Sequence, residues 1–157
     1  MVTCIHFNGF RSLLVNFILY KDYKSQPWIR NCTESTSPMT CKYYFLVEWF
    51  KTLSKACYDC PNNITDCFRP QCIAANGIDR VVMSVNRMLP GPLIQVCLHD
   101  TIDVVVRNNL RMGEGTSVHW HGIYQKNKNS QYMDGVGMIT QCPINAKTSF
   151  RYKYAFA

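Results

Sequence analysis

Residues 101–108 read Thr-Ile-Asp-Val-Val-Val-Arg-Asn, and this stretch decides the fold class. Ile102, Val104 and Val106 alternate with Asp103, Val105 and Arg107, the period of two expected of a strand with one buried face. A turn pair, His99-Asp100, precedes it, and Gly113 and Gly115 follow. Outward from this centre the same grammar repeats. Asp79–Asn86 alternates loosely, Pro90-Gly91-Pro92 makes a turn, and Leu93–Leu98 is apolar and β-rich. Thr116–His121 opens a further strand. Lys147–Phe156 places Phe150, Tyr152, Tyr154 and Phe156 on one side. Short strands separated by Gly and Pro turns predict an all-β sandwich or barrel. Tyr43–Thr52 is aromatic and β-branched; it fits a strand, and pattern alone leaves a helix open.

Composition agrees with a folded domain. Apolar residues make up 47% of the 157-residue chain and charged residues only 17%. The net charge of +7 is spread over scattered lysines and arginines without a basic run, so no nucleic-acid partner is expected. No segment approaches the ~18 continuous apolar residues of a membrane helix. Leu13–Tyr20 is a short apolar run after Arg11, readable as a poor signal-peptide core or as a misassigned first exon.

Nine cysteines, at 4, 32, 41, 57, 60, 67, 72, 97 and 142, are many for a cytosolic protein and usual for a secreted one. Four of them fall within residues 57–72 in a Pro-, Asn- and Asp-rich segment. Disulfides are preferred there over zinc, because the second pair is spaced too widely for a tight metal knuckle. Cys97 reads either as a buried thiol or as a disulfide partner. Two sequons, Asn31-Cys32-Thr33 and Asn63-Ile64-Thr65, point to the same oxidising, extracellular compartment.

The chemistry is carried by Ser117-Val118-His119-Trp120-His121-Gly122. In an extended segment His119 and His121 project to one face and Trp120 to the other, making a half-site for copper or zinc. Isolated His-x-His pairs are common and most bind nothing. Here the pair continues into Gly122-Ile123-Tyr124-Gln125, Tyr132-Met133-Asp134-Gly135-Val136 and Thr140-Gln141-Cys142-Pro143-Ile144. These strings, with Val85-Asn86-Arg87, Pro90-Gly91-Pro92 and Val104–Asn108 upstream, resemble the first copper-binding region of multicopper oxidases, the laccases most closely. The cysteine loop at 56–72 resembles the extension preceding that region in insect laccases.

The resemblance implies a cupredoxin-like Greek-key β-barrel, incomplete at its C-terminal end and preceded by a Cys-rich extension. It divides the chain into a leader or linker (1–40), a first strand with the Cys-rich loop (41–76) and a first plastocyanin-like domain (77–157). It implies copper as cofactor, with His119 a type 2 copper ligand and His121 a type 3 copper ligand. Asp134 corresponds to a carboxylate near the cluster that assists proton delivery; outside the resemblance it is an ordinary Asp-Gly turn. The full enzyme would oxidise phenolic donors one electron at a time and reduce dioxygen to water, with the missing cupredoxin domains supplying the other ligands. One His-x-His pair of four leaves the chain alone inactive. Cys142 would pair with a cysteine beyond residue 157. His99 stands where the family has Gly, a turn position needing positive φ, and Gly137 stands where it has Pro. Two rivals remain: a non-catalytic truncated cupredoxin, and a disulfide-rich extracellular interaction module in which the His pair is incidental. The last strand, lacking its neighbours, is expected to leave an apolar edge partly uncovered.

Overall fold

The computed structural model of the protein describes residues 29–126 and 128–155. Four strands form one mixed sheet: β1 (Thr40–Lys51), β2 (Val81–Val85), β3 (Thr101–Asn108) and β4 (Ser149–Ala155), in the order β2-β1-β3-β4. β1 runs parallel to β3, and the outer pairs are antiparallel. Among the described residues helix is confined to one α-turn, Lys128–Gln131, and two 3-10 turns, Lys55–Cys57 and Ile64–Phe68. The all-β expectation therefore holds, and the helical alternative for residues 43–52 falls: they lie in β1, the longest strand. Among the described residues the sheet does not close on itself.

Alternation writes the core. Cys41, Tyr43, Phe45 and Val47 of β1 lie on the face that carries Ile102, Val104 and Val106 of β3 and Tyr152 and Tyr154 of β4, all buried. Register aligns them in rows, such as Tyr43–Val104–Tyr152. What covers this face is loop. Ile94, Leu110, Val118, Trp120, Met133 and Ile144 complete the core from irregular segments. Side chains satisfy the polar groups these loops bring in. Buried Asn108 donates to the carbonyls of Glu114 and Ile144, at 2.7 and 2.8 Å, and accepts from the Leu110 amide at 2.9 Å.

Two expected strands are extended but unpaired, and the reason is the same for both. Around Leu93–Leu98, the Tyr43 hydroxyl donates to the Gln95 carbonyl at 3.0 Å and accepts from its amide at 3.3 Å, and the Cys97 amide goes to the Asp100 carboxylate. Around Thr116–His121, the Val118 amide donates to the Tyr152 hydroxyl at 3.1 Å, leaving Thr116↔Ile144 as an isolated bridge. Side chains from the sheet thus take the hydrogen bonds that a ladder would have used.

The cysteines resolve into Cys32–Cys97, Cys57–Cys72 and Cys60–Cys67, the last two nested in the 57–72 loop, so disulfides rather than zinc organise it. Cys41 is a buried thiol and Cys142 an exposed one. Cys4, His6, the apolar run at 13–20 and Phe156 lie outside the described residues. The aromatic side of β4 is better covered than expected: Tyr152 and Tyr154 are buried and Phe150 half-buried, so what lies open is the strand's outer backbone edge. His99 adopts φ +70°, the left-handed conformation for which Gly is the ordinary choice.

One buried carboxylate ties the N-terminal segment to the sheet. Asp100 accepts from the Arg30 guanidinium at 2.9 Å, the Met39 amide at 2.8 Å, the Cys97 amide at 2.8 Å and the Cys41 thiol at 3.5 Å. Burial alone would raise its pKa, but the two amides and Arg30 outweigh burial and hold it below the ordinary value. The same carboxylate and the loss of solvent push the Cys41 thiol up to about 12, so it stays an unreactive SH. On the other face of the sheet, Arg151 grips Asp103 with two hydrogen bonds, at 2.7 and 2.5 Å, and lowers that carboxyl as well, against a smaller opposing effect of burial.

A second tie docks the 133–137 loop on the His-bearing segment. Gly135 takes φ +76°, and a Cβ there would stand 1.7 Å from the Val118 carbonyl oxygen, so only glycine permits the approach. The Ser117 hydroxyl closes the contact by donating to the Gly135 carbonyl at 2.6 Å.

Two outcomes follow from these ties. Gly135→Ala is expected to destabilise the fold by about 3 kcal/mol or more, because left-handed strain and a backbone collision add; urea denaturation of the variant measures it. Asp100 and Asp103, held below their unfolded values, contribute fully above about pH 4, and their contribution is lost as pH falls through the lower folded values. Denaturation midpoints measured between about pH 2.5 and 6 should therefore fall steeply on acidification, and Asp100→Asn should flatten the slope.

Candidate metal centre

His119 and His121 flank Trp120 in an extended segment, and burial sorts the three. Trp120 is fully buried, edge-on to Tyr152 at 5.4 Å and to Tyr154 at 5.2 Å between ring centroids. With the indole drawn into the core, its two neighbours must face out, and both imidazoles are exposed. Their ring centroids lie 5.8 Å apart and their planes cross at 75°. The expectation that the pair shares one face therefore holds, although the segment belongs to no sheet.

His119 is oriented and His121 is open. The Nδ1 of His119 lies 2.9 Å from the main-chain oxygen of Asp134. A carbonyl only accepts, so this contact puts the ring proton on Nδ1 and leaves the Nε2 lone pair free. The Asp134 carboxylate is also near, at 3.5 Å from the same nitrogen, and is half-buried. Asp134 thus lies beside His119, and its closest hold on that ring runs through the backbone.

The segment around Asp134 is pinned on both sides. The Tyr154 hydroxyl donates to the Met133 carbonyl, and the Ser117 hydroxyl to the Gly135 carbonyl. Burial, reinforced by the neighbouring Tyr152 and Asp134, raises the Tyr154 phenol, so it remains a proton donor at any ordinary pH. The sequence reading missed Ser117 and Tyr154 as supports of the site. Their only signal was membership of the matched strings and of the alternating strand, because a hydroxyl's partner lies far along the chain.

The donor set suits copper in part. Two imidazoles presenting nitrogen toward one side, one of them with its tautomer set by a carbonyl, fit a metal that favours nitrogen ligands. Among the described residues no group of three or more His, Cys, Asp or Glu side chains comes together to hold a metal. To hold a metal, the pair would need further ligands. His99, the remaining described histidine, is a solvated turn residue. No helix among the described residues is long and apolar enough to cross a membrane.

Comparison with known proteins gives this geometry its lineage. A family model described as multicopper oxidase matches residues 68–157, which includes both imidazoles, Asp134 and Cys142. The chain is 48% identical over 79 residues to Laccase-1 of Cryptococcus neoformans var. grubii, covering 50% of this chain and 12% of that one. It is 36% identical over 116 residues to oxidoreductase OpS5 of Beauveria bassiana, covering 74% of this chain and 16% of the relative. The solved laccase of Botrytis aclada superposes with a TM-score of 0.55 at 30% identity, over 76% of this chain and 18% of the laccase. The chain therefore spans less than a fifth of each of these proteins. The likeness makes the sheet cupredoxin-like, and the family implies a copper cofactor. The match over more than half of its length, seated on the His-bearing segment, means that the chain belongs to the multicopper oxidase family.

Proposed function

We propose that the chain is the first, copper-ligand-bearing cupredoxin domain of a laccase-like enzyme. That enzyme oxidises phenolic donors one electron at a time and reduces dioxygen to water. His119 is the type 2 copper ligand and His121 a type 3 copper ligand. The observation that carries the reading is the exposed imidazole pair with the His119 Nδ1 proton engaged by Asp134, since a ring nitrogen fixed in this way leaves its partner nitrogen for a metal. Copper held there supplies one-electron redox chemistry toward dioxygen. This chain's own residues do the rest. Trp120 anchors the pair to the core, the Asp134 carbonyl orients His119, and the Asp134 carboxylate passes protons toward the site, since oxygen reduction consumes them.

The missing ligands come from other cupredoxin domains of the complete enzyme. Four histidines in 157 residues, only two of them adjacent in space among those described, do not build a multicopper cluster, so the chain alone does not turn over. Residues 77–157 form the plastocyanin-like domain and 41–76 supply its first strand and Cys-rich loop; within the leader or linker of 1–40, Arg30 and Cys32 are fastened to that domain through Asp100 and Cys97. Exposed Cys142 is available for a disulfide to a cysteine outside the chain. Three disulfides, with Asn31 and Asn63 both exposed in their sequons, support a secreted glycoprotein.

Titration of the 157-residue chain with Cu(II), followed by calorimetry and electron paramagnetic resonance, tests the site. The expected result is a nitrogen-ligated copper that His119→Ala/His121→Ala weakens at least about tenfold, with the circular dichroism unchanged. Equal binding by the double variant rejects the site and favours the interaction-module reading. Oxidation of a phenol by the chain alone rejects its inactivity.

A further inference from the structure

Three consecutive carbonyls, those of Met133, Asp134 and Gly135, each engage a side chain, the first from β4 and the other two from the His-bearing segment. Met133 receives the Tyr154 hydroxyl from β4. Asp134 faces Nδ1 of His119 at 2.9 Å, and Gly135 receives the Ser117 hydroxyl at 2.6 Å. The outer two bonds come from Tyr154 on the sheet and from Ser117 on the His-bearing segment, so the turn is tied to both. Pinning the carbonyls before and after it fixes the two flanking peptide planes, which leaves the central plane only a coupled rotation about the ψ of Asp134 and the φ of Gly135. Gly135 brings this turn closer to Val118 than any other residue could, which places the clasp within reach of the imidazole.

We propose that Ser117 is a positioning residue for His119. It holds the 134–135 turn so that the Asp134 carbonyl accepts a hydrogen bond from Nδ1–H, which fixes the tautomer that leaves the Nε2 lone pair free. This rests on the reading of His119 as a copper ligand, but the tautomer itself is a property of the metal-free chain. Ser117 stands two residues from His119 on the extended segment, hence on the same side of it, and touches neither the imidazole nor any expected substrate. Its action on the site runs through the turn. A serine whose hydroxyl merely filled space would leave the imidazole tautomer as it was.

The test is a nitrogen-15 spectrum of the histidine-labelled, metal-free 157-residue chain, in which pyrrole-type and pyridine-type ring nitrogens are well separated. Wild-type His119 is expected as the Nδ1-protonated tautomer. Ser117→Ala should give a mixture of both tautomers while the backbone spectrum stays folded, and Ser117→Thr, which keeps the hydroxyl, should restore the single form. Affinity for added Cu(II) should fall about tenfold in Ser117→Ala and recover in Ser117→Thr. If Ser117→Ala fails to fold, Ser117→Cys, similar in size with a weaker donor, makes the same comparison. An unchanged His119 tautomer in a folded variant overturns the proposal. A shifted tautomer in a chain whose wild type binds no Cu(II) upholds Ser117 as the positioning residue and overturns the copper reading instead.

Discussion

Everything at the candidate site depends on where the Trp120 indole goes. It is the largest of the fully buried side chains and sits edge-on against two tyrosines of β4. An extended backbone sends neighbours to opposite sides, so burying this one ring exposes the two imidazoles beside it together. The driving force is non-directional burial of a large apolar surface, worth several times any single hydrogen bond nearby. The side that presents the imidazoles is therefore set by the core rather than by polar contacts among the histidines themselves.

The tyrosines that receive the indole have a second role. The Tyr152 hydroxyl accepts a hydrogen bond from the Val118 amide, and the Tyr154 hydroxyl donates one to the Met133 carbonyl. β4 thereby serves the irregular segments as both apolar floor and hydrogen-bond partner. This explains how loops can cover one whole face of the sheet without leaving their backbone groups stranded. Asn108 and Asp100 do the same at the two ends of β3, one with an amide and one with a carboxylate. The covering layer of this domain is held by a few buried polar side chains, where a complete sandwich would have a second ladder.

The disulfides belong to the same economy. Nested Cys57–Cys72 and Cys60–Cys67 organise a loop whose own buried residues are few, and Cys32–Cys97 joins the N-terminal segment to the turn that Asp100 anchors. Cross-links of this kind act chiefly by restricting the unfolded chain. Arg30 and Cys32 therefore secure one stretch by two independent means, an ion pair and a covalent bond.

The sequence by itself determined the strands whose faces alternate, β3 and β4 above all, because a period of two is a local property that needs no partner to be seen. It also determined the shared direction of His119 and His121, which follows from backbone geometry, and the family, which a string of matched motifs carries. The tertiary structure decided what depends on distant partners. Residues 93–98 and 116–121 look like strands, yet Tyr43, Asp100 and Tyr152 claim their amides and carbonyls, a competition invisible in local pattern. The partner of Cys97, left open by the sequence, is Cys32, 65 positions away. The grip on His119 passes through the Asp134 main-chain oxygen, and every residue has such an oxygen, so nothing in the sequence could mark this one. Only the folded chain, bringing Gly135 against Val118, selects it.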